Sequence, residues 1–140
     1  ENSEGESAYV SRVSTTTGTA PTSVAVSPTA VSGDSTLSAS PEVIAQIVTA
    51  TVTSPSGTTN IYINTASNTR YKQATTSGGL SSASFTTPST NQTAQSLTLN
   101  GSNQVFLQFE ITNNSPIFSR IYTVKNNGET ATISVSELEK

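Results

Sequence analysis

From Glu1 to Ser40 the chain is mostly Ser, Thr, Gly, Ala and Pro, with a few valines. A segment of that composition cannot bury enough apolar surface to offset the entropy of ordering it. To be ordered it must lie on something else, and an unpaired sheet edge or a groove over a core, its own or a neighbouring subunit's, is the natural support. The sequence therefore divides into an extended N-terminal tail, residues 1–40, and a body, residues 41–140, of the size of one β-sandwich.

Composition narrows the classes of function. Only 11% of residues are charged and 32% hydrophobic, and Ser and Thr fill roughly a third of the chain. Threonine-rich polarity suits the exposed faces of strands, where β-branched side chains fit the pleat. A net charge of −3, with Arg12, Arg70, Lys72, Arg120, Lys125 and Lys140 scattered, provides no basic stripe for nucleic acid. No apolar run approaches the length of a membrane span. The start at Glu1, without Met or a signal peptide, and the lack of cysteine fit the mature form of an exported precursor.

Alternation of apolar and polar residues marks the strands. Val24, Val26, Pro28 and Ala30 share one face if residues 24–30 are extended, and Pro28 confines that strand to an edge. Ala8–Val13 is a second, less regular piece containing Val10 and Val13. Gly18–Pro21 or Ser32-Gly33 could serve as the joint to the body. Ser40-Pro41-Glu42 resembles a helix start, but the β-branched run that follows makes Val43–Thr53 mainly strand. A turn at Ser54-Pro55-Ser56-Gly57 and a strand over Thr58–Asn64 then suggest a hairpin. Arg70–Ala74 and Leu80–Thr86 are short candidate strands, the second ended by Pro88. Leu97–Leu99, a turn at Asn100-Gly101, and Gln104–Thr112 follow, with Val105, Leu107, Phe109 and Ile111 facing one way and Phe106, Gln108 and Glu110 the other. Ile117–Lys125 is apolar on both faces and so central, and Asn127-Gly128 turns it back into Thr130–Ser136. The pattern predicts an all-β, antiparallel Ig-like or jelly-roll-like β-sandwich.

Little in the chain can do chemistry. Without His or Cys there is no Ser-His-Asp triad, no thiolate and no imidazole metal site. Asp34 is the only aspartate, so the acidic loops that hold calcium are missing. Glu42 and Glu110 are the only acids inside strong elements, and Glu110 is expected on an exposed strand face. These residues predict no catalytic activity, no cofactor and no metal. Three Asn-x-Ser/Thr sequons, at Asn91, Asn100 and Asn113, fall at predicted turns and permit N-glycosylation, but composition alone yields about that many. Tyr62, Tyr71 and Phe106 are the aromatics that would mark a carbohydrate-binding face, and Arg70-Tyr71-Lys72 reads as a solvated strand end.

A polar tail with alternating small apolar residues, ahead of a β-rich body, resembles the subunits of filaments assembled by donor-strand exchange: bacterial adhesive pilins and thread-like archaeal filaments. The resemblance is one of architecture and covers the whole chain loosely. It departs from chaperone–usher pilins in lacking cysteine, and it lacks the long apolar helix of type IV pilins. It implies an extracellular homopolymer in which Val24, Val26, Pro28 and Ala30 lead the donor strand, seconded by Val10 and Val13. Adhesion, aggregation or biofilm formation, with host or neighbouring-cell glycans as further partners, would be its role. Two other classes fit the same pattern: a viral capsid, decoration or tail protein with exchanged arms, and a secreted carbohydrate-binding sandwich.

Overall fold

A computed structural model describes residues 20–33, 42–63, 69–88, 92–111 and 119–136. Among the described residues ten strands form two five-stranded sheets: β1 (Ser23–Ser27), β2 (Ala30–Ser32), β3 (Glu42–Val43), β4 (Val48–Thr53), β5 (Thr59–Ile63), β6 (Thr69–Ala74), β7 (Gln95–Leu97), β8 (Gln104–Ile111), β9 (Ser119–Asn126) and β10 (Glu129–Ser136). One sheet runs β1-β4-β8-β6, with β3 continuing the β4 side of β8, and the other runs β2-β10-β9-β5-β7. The chain is thus an all-β sandwich, and its β1-β4-β8-β6 and β5-β9-β10 orders are those of the immunoglobulin-type sandwich. All pairings are antiparallel except β2 with β10.

The inner faces carry the alternating residues that the sequence marks. Val105, Leu107 and Phe109 of β8 face Ile61 and Ile63 of β5, Tyr122 and Val124 of β9, and Ile133 and Val135 of β10, all 0% exposed. Phe109 and Tyr122 stack across the interface with ring centroids 4.4 Å apart and planes 15° from parallel. Strand β9 lies between β10 and β5, as expected, but only one of its faces is buried: Tyr122 and Val124 point into the core, while Ile121 on the outer face is 42% exposed.

Several connections differ from expectation. β4 and β5 do not form a hairpin, because β4 pairs with β1 and β8 while β5 pairs with β9 and β7. Ser54–Thr58 crosses instead from one sheet to the other, helped by positive φ at Ser54 (49°) and Gly57 (70°). Buried Asn126 fixes this crossing: its Oδ1 accepts from Ser56 N–H at 2.9 Å, and its Nδ2 donates to Thr59 Oγ1 at 2.8 Å. β7 and β8 likewise lie in different sheets. The strand expected from residue 43 is interrupted: between the pairs Val43↔Glu110 and Val48↔Leu107, residues 44–47 bulge against only residues 108 and 109 of β8. Glu42 begins β3, not a helix, while Ser40 and Pro41 lie outside the described residues. The strand expected over Leu80–Thr86 is a 3-10 turn, Gly78–Ser82, followed by a single bridge, Tyr71↔Thr86. The local bonds of Thr76, whose carbonyl and hydroxyl both accept from Gly79 N–H, hold that turn in place of a ladder.

Tyr71 points into the core at 1% exposure, and burial pushes its phenol from 10.0 up to about 12, against the lowering effect of its hydrogen bond to Thr86. A folded-state value above the unfolded one means that the folded protein holds the proton more tightly. Stability is then intact below pH ~10 and falls as pH rises towards about 12, by up to ~3 kcal/mol. Equilibrium urea unfolding between pH 9 and 12 is expected to show this decline, and Tyr71→Phe to flatten it.

Candidate functional site

The segment assigned to the tail enters both sheets, so the sandwich takes in strands from either side of residue 40. β1 pairs antiparallel with β4 over Ser23–Ser27, closing one sheet, and β2 pairs parallel with β10 over Ala30–Ser32, closing the other. Pro28 and Thr29 make the crossing, with the Ser27–Pro28 peptide cis. Bonds from Ser134 N–H to Thr29 O (2.8 Å) and from Gly33 N–H to Ser136 O (2.7 Å) fix the second half.

Val26 is buried and Val24 half-buried against the core, as their shared face requires. Ala30 does not continue that face; it is exposed, and Val31 is buried in its place. A strand that leaves one layer of a sandwich for the other meets an inner face of opposite sense, so its in–out parity must change at the crossing. Simple alternation along one strand cannot anticipate that change. Val10 and Val13 lie outside the described residues.

The crossing leaves part of the second sheet uncovered. Among the described residues only Ser134–Ser136 of the outer edge of β10 are paired, and Glu129–Ile133 have a partner on the β9 side alone. Ser134 donates outward to Thr29, so by strand periodicity the peptide groups of Thr132 and Thr130 point the same way. A groove of about 570 Å³ runs beside this stretch, lined by uncharged residues that include Val24, Val26, Ala30, Ile121 and Ala131. Ile121, 42% exposed, is one of the two large hydrophobic residues exposed among those described. The lining contains no aromatic ring and no titratable side chain, which suits aliphatic side chains better than a sugar or an ion.

The other candidates are dispersed. Glu110 is not on an exposed face but 6% exposed, because Arg70 on neighbouring β6 lies over it and donates from Nε to Oε1 at 2.6 Å, with Nη2 on the same oxygen. Arg70 and Lys72 in turn sit 4.7 and 4.9 Å from the centre of the Phe85 ring. The Arg70–Lys72 stretch is therefore a packed patch and not a free strand end, and the loop after β6 that supplies Phe85 is what sequence alternation could not place. Arg70→Ala is expected to cost about 1–3 kcal/mol by stranding a buried carboxylate. Glu110→Gln should cost less, since Arg70 is 40% exposed and can turn to water. Chemical denaturation of both variants checks the asymmetry.

Of the aromatics, Tyr71 is in the core, Phe106 is half-buried, and Tyr62 is capped by Lys125, whose Nζ lies 4.8 Å from the ring centre. They do not form one face. Asn100 uses its side chain to tie its loop to the end of β6: Nδ2 donates to Thr75 O at 2.9 Å, and Oδ1 accepts from Ser102 and Gln104 N–H at 2.8 and 3.0 Å. Asn91 and Asn113 lie outside the described residues, and Glu42 pairs through its backbone with Ile111. Gln73, unremarked in the sequence, acts as a clip, its Nε2 donating to Ser96 O and its Oε1 accepting from Thr98 N–H, both at 2.8 Å. Among the described residues no helix is long and apolar enough to cross a membrane.

No protein-family model, curated protein or solved structure matches this chain.

Proposed function

We propose that this protein is a structural subunit of an extracellular surface filament, polymerising head-to-tail through its N-terminal arm and serving adhesion, aggregation or biofilm formation. One observation carries the reading: the N-terminal arm supplies the edge strands of both sheets, and next to them one sheet edge is left without a partner among the described residues, over an apolar groove. Strand donation by such an arm to a neighbour's sandwich is the kind of contact that yields open, head-to-tail assemblies. The polar, charge-poor and cysteine-free surface suits an exported fibre.

Electron microscopy and sedimentation velocity of the full chain across a concentration series test the reading. Linear fibres of uniform width are the expected result. Monomers at every concentration overturn it, and closed rings or shells replace it with the capsid-type alternative.

A further inference from the structure

The open stretch of β10 has a definite shape, and the chain contains a segment that fits it. We infer that Glu129–Ile133 is the acceptor edge of the assembly and that residues 8–13 of a second copy add to it as an antiparallel strand, while β1 and β2 stay in their own chain. This rests on the filament reading and assigns the donor to a different part of the arm from the strand that already closes the two sheets.

Register follows from four pairings. Inward-facing residues on β10 are Ala131 and Ile133, and those facing out are Thr130 and Thr132. Setting Val10 opposite Ala131 places Ala8 opposite Ile133, so that two small apolar side chains enter the groove beside Val24 and Val26. The same register puts Tyr9 opposite Thr132, on the outer face near Ile121, which β9 sets against Ser134. It also puts Arg12 opposite Glu129. Arg12 is the only basic residue before Arg70, and Glu129 is the acid at the exposed start of the open edge, so the pair is an opposite-charge cross-strand match. The outward peptide groups of Thr130 and Thr132 then bond Ser11 and Tyr9.

A second copy is the occupant because of where the arm leaves. β2 runs parallel to β10, and β1 leads into it along the same edge, so the chain reaches β1 from the Asn127-Gly128 end. Ala20 and Pro21 there are exposed, and a residue before proline is held extended, so the described part of the arm ends in solvent at that end of the sandwich. Residues 14–22 span about 30 Å when extended, enough to reach a neighbour.

The test uses full-length variants. Thr132→Pro removes an outward N–H without touching the β9 ladder, a position where an edge strand accepts proline. Val10→Asp spoils the donor. Each variant alone is expected to remain monomeric with an unchanged melting temperature. Mixed, they should form a 1:1 dimer of twice the 14.5 kDa monomer and go no further, because one edge and one donor remain intact. Charge reversal provides a second readout: Arg12→Glu or Glu129→Arg alone should raise the critical concentration for assembly at least tenfold, and the two together should restore it. Wild-type fibres that persist in Thr132→Pro, or a mixture that stays monomeric while wild type polymerises, overturn this inference and leave the filament reading standing. A wild-type protein that never assembles overturns both.

Discussion

Removing residues 1–33 will abolish cooperative unfolding, whereas removing residues 1–19 will leave the melting temperature within a few degrees of the full chain's. The longer deletion takes Val26 and Val31 out of the core, together with the half-buried Val24. Fully burying a valine is worth about 1.5–3 kcal/mol, so the two buried residues alone account for ~3–6 kcal/mol. A domain of this size has about 5–15 kcal/mol in total. The deletion also exposes the outer edge of β4 and that of Ser134–Ser136 in β10, two rows of peptide groups that β1 and β2 cover. Adding a synthetic peptide of residues 20–33 is expected to restore the native near-ultraviolet circular dichroism. A 1–33 deletion that melts like the full chain would show that the arm contributes nothing to the core.

Phe109→Ala is expected to destabilise the protein by about 3–5 kcal/mol, the usual cost of emptying a buried aromatic site. The ring is 0% exposed and stacked on Tyr122 from the opposite sheet, so its loss opens a cavity at the centre of the sandwich and removes the inter-layer ring contact. At this chain length the melting temperature should fall by on the order of 10–20 °C. Phe106→Ala, three residues earlier on the outer face and half-buried, should cost ~1 kcal/mol. Thermal melts of the two variants separate an inward from an outward phenylalanine on one strand.

That pair of residues also shows what was legible in advance. The faces of β8 follow from period-two alternation, and the central place of β9 is read from apolar residues on both its faces. The Asn127-Gly128 turn follows from its dipeptide, and both residues take the positive φ (48° and 86°) that a two-residue hairpin demands. What alternation cannot report is which sheet a strand joins. Ser54–Thr58 and the loop before Gln104 look like hairpin turns, yet each crosses the core, because partner choice is settled by strands distant in sequence. The inversion at Pro28, which exchanges Ala30 for Val31, has the same origin. Glu110 was hidden for another reason: its cover, Arg70, lies forty residues away on a strand that joins the same sheet.

The parallel pairing of β2 with β10 also fixes how this molecule bears load. Tension applied at residue 20 and at residue 136 pulls these two strands past each other along their own axes. The Thr29–Ser134 and Gly33–Ser136 bonds then stand across the direction of pull and are strained together, not opened one by one as in a peeled hairpin. Forced extension is governed by the barrier to that simultaneous rupture, a rate and not an equilibrium. Strung end to end, such units would form a cord whose strength lies in its shortest parallel contact.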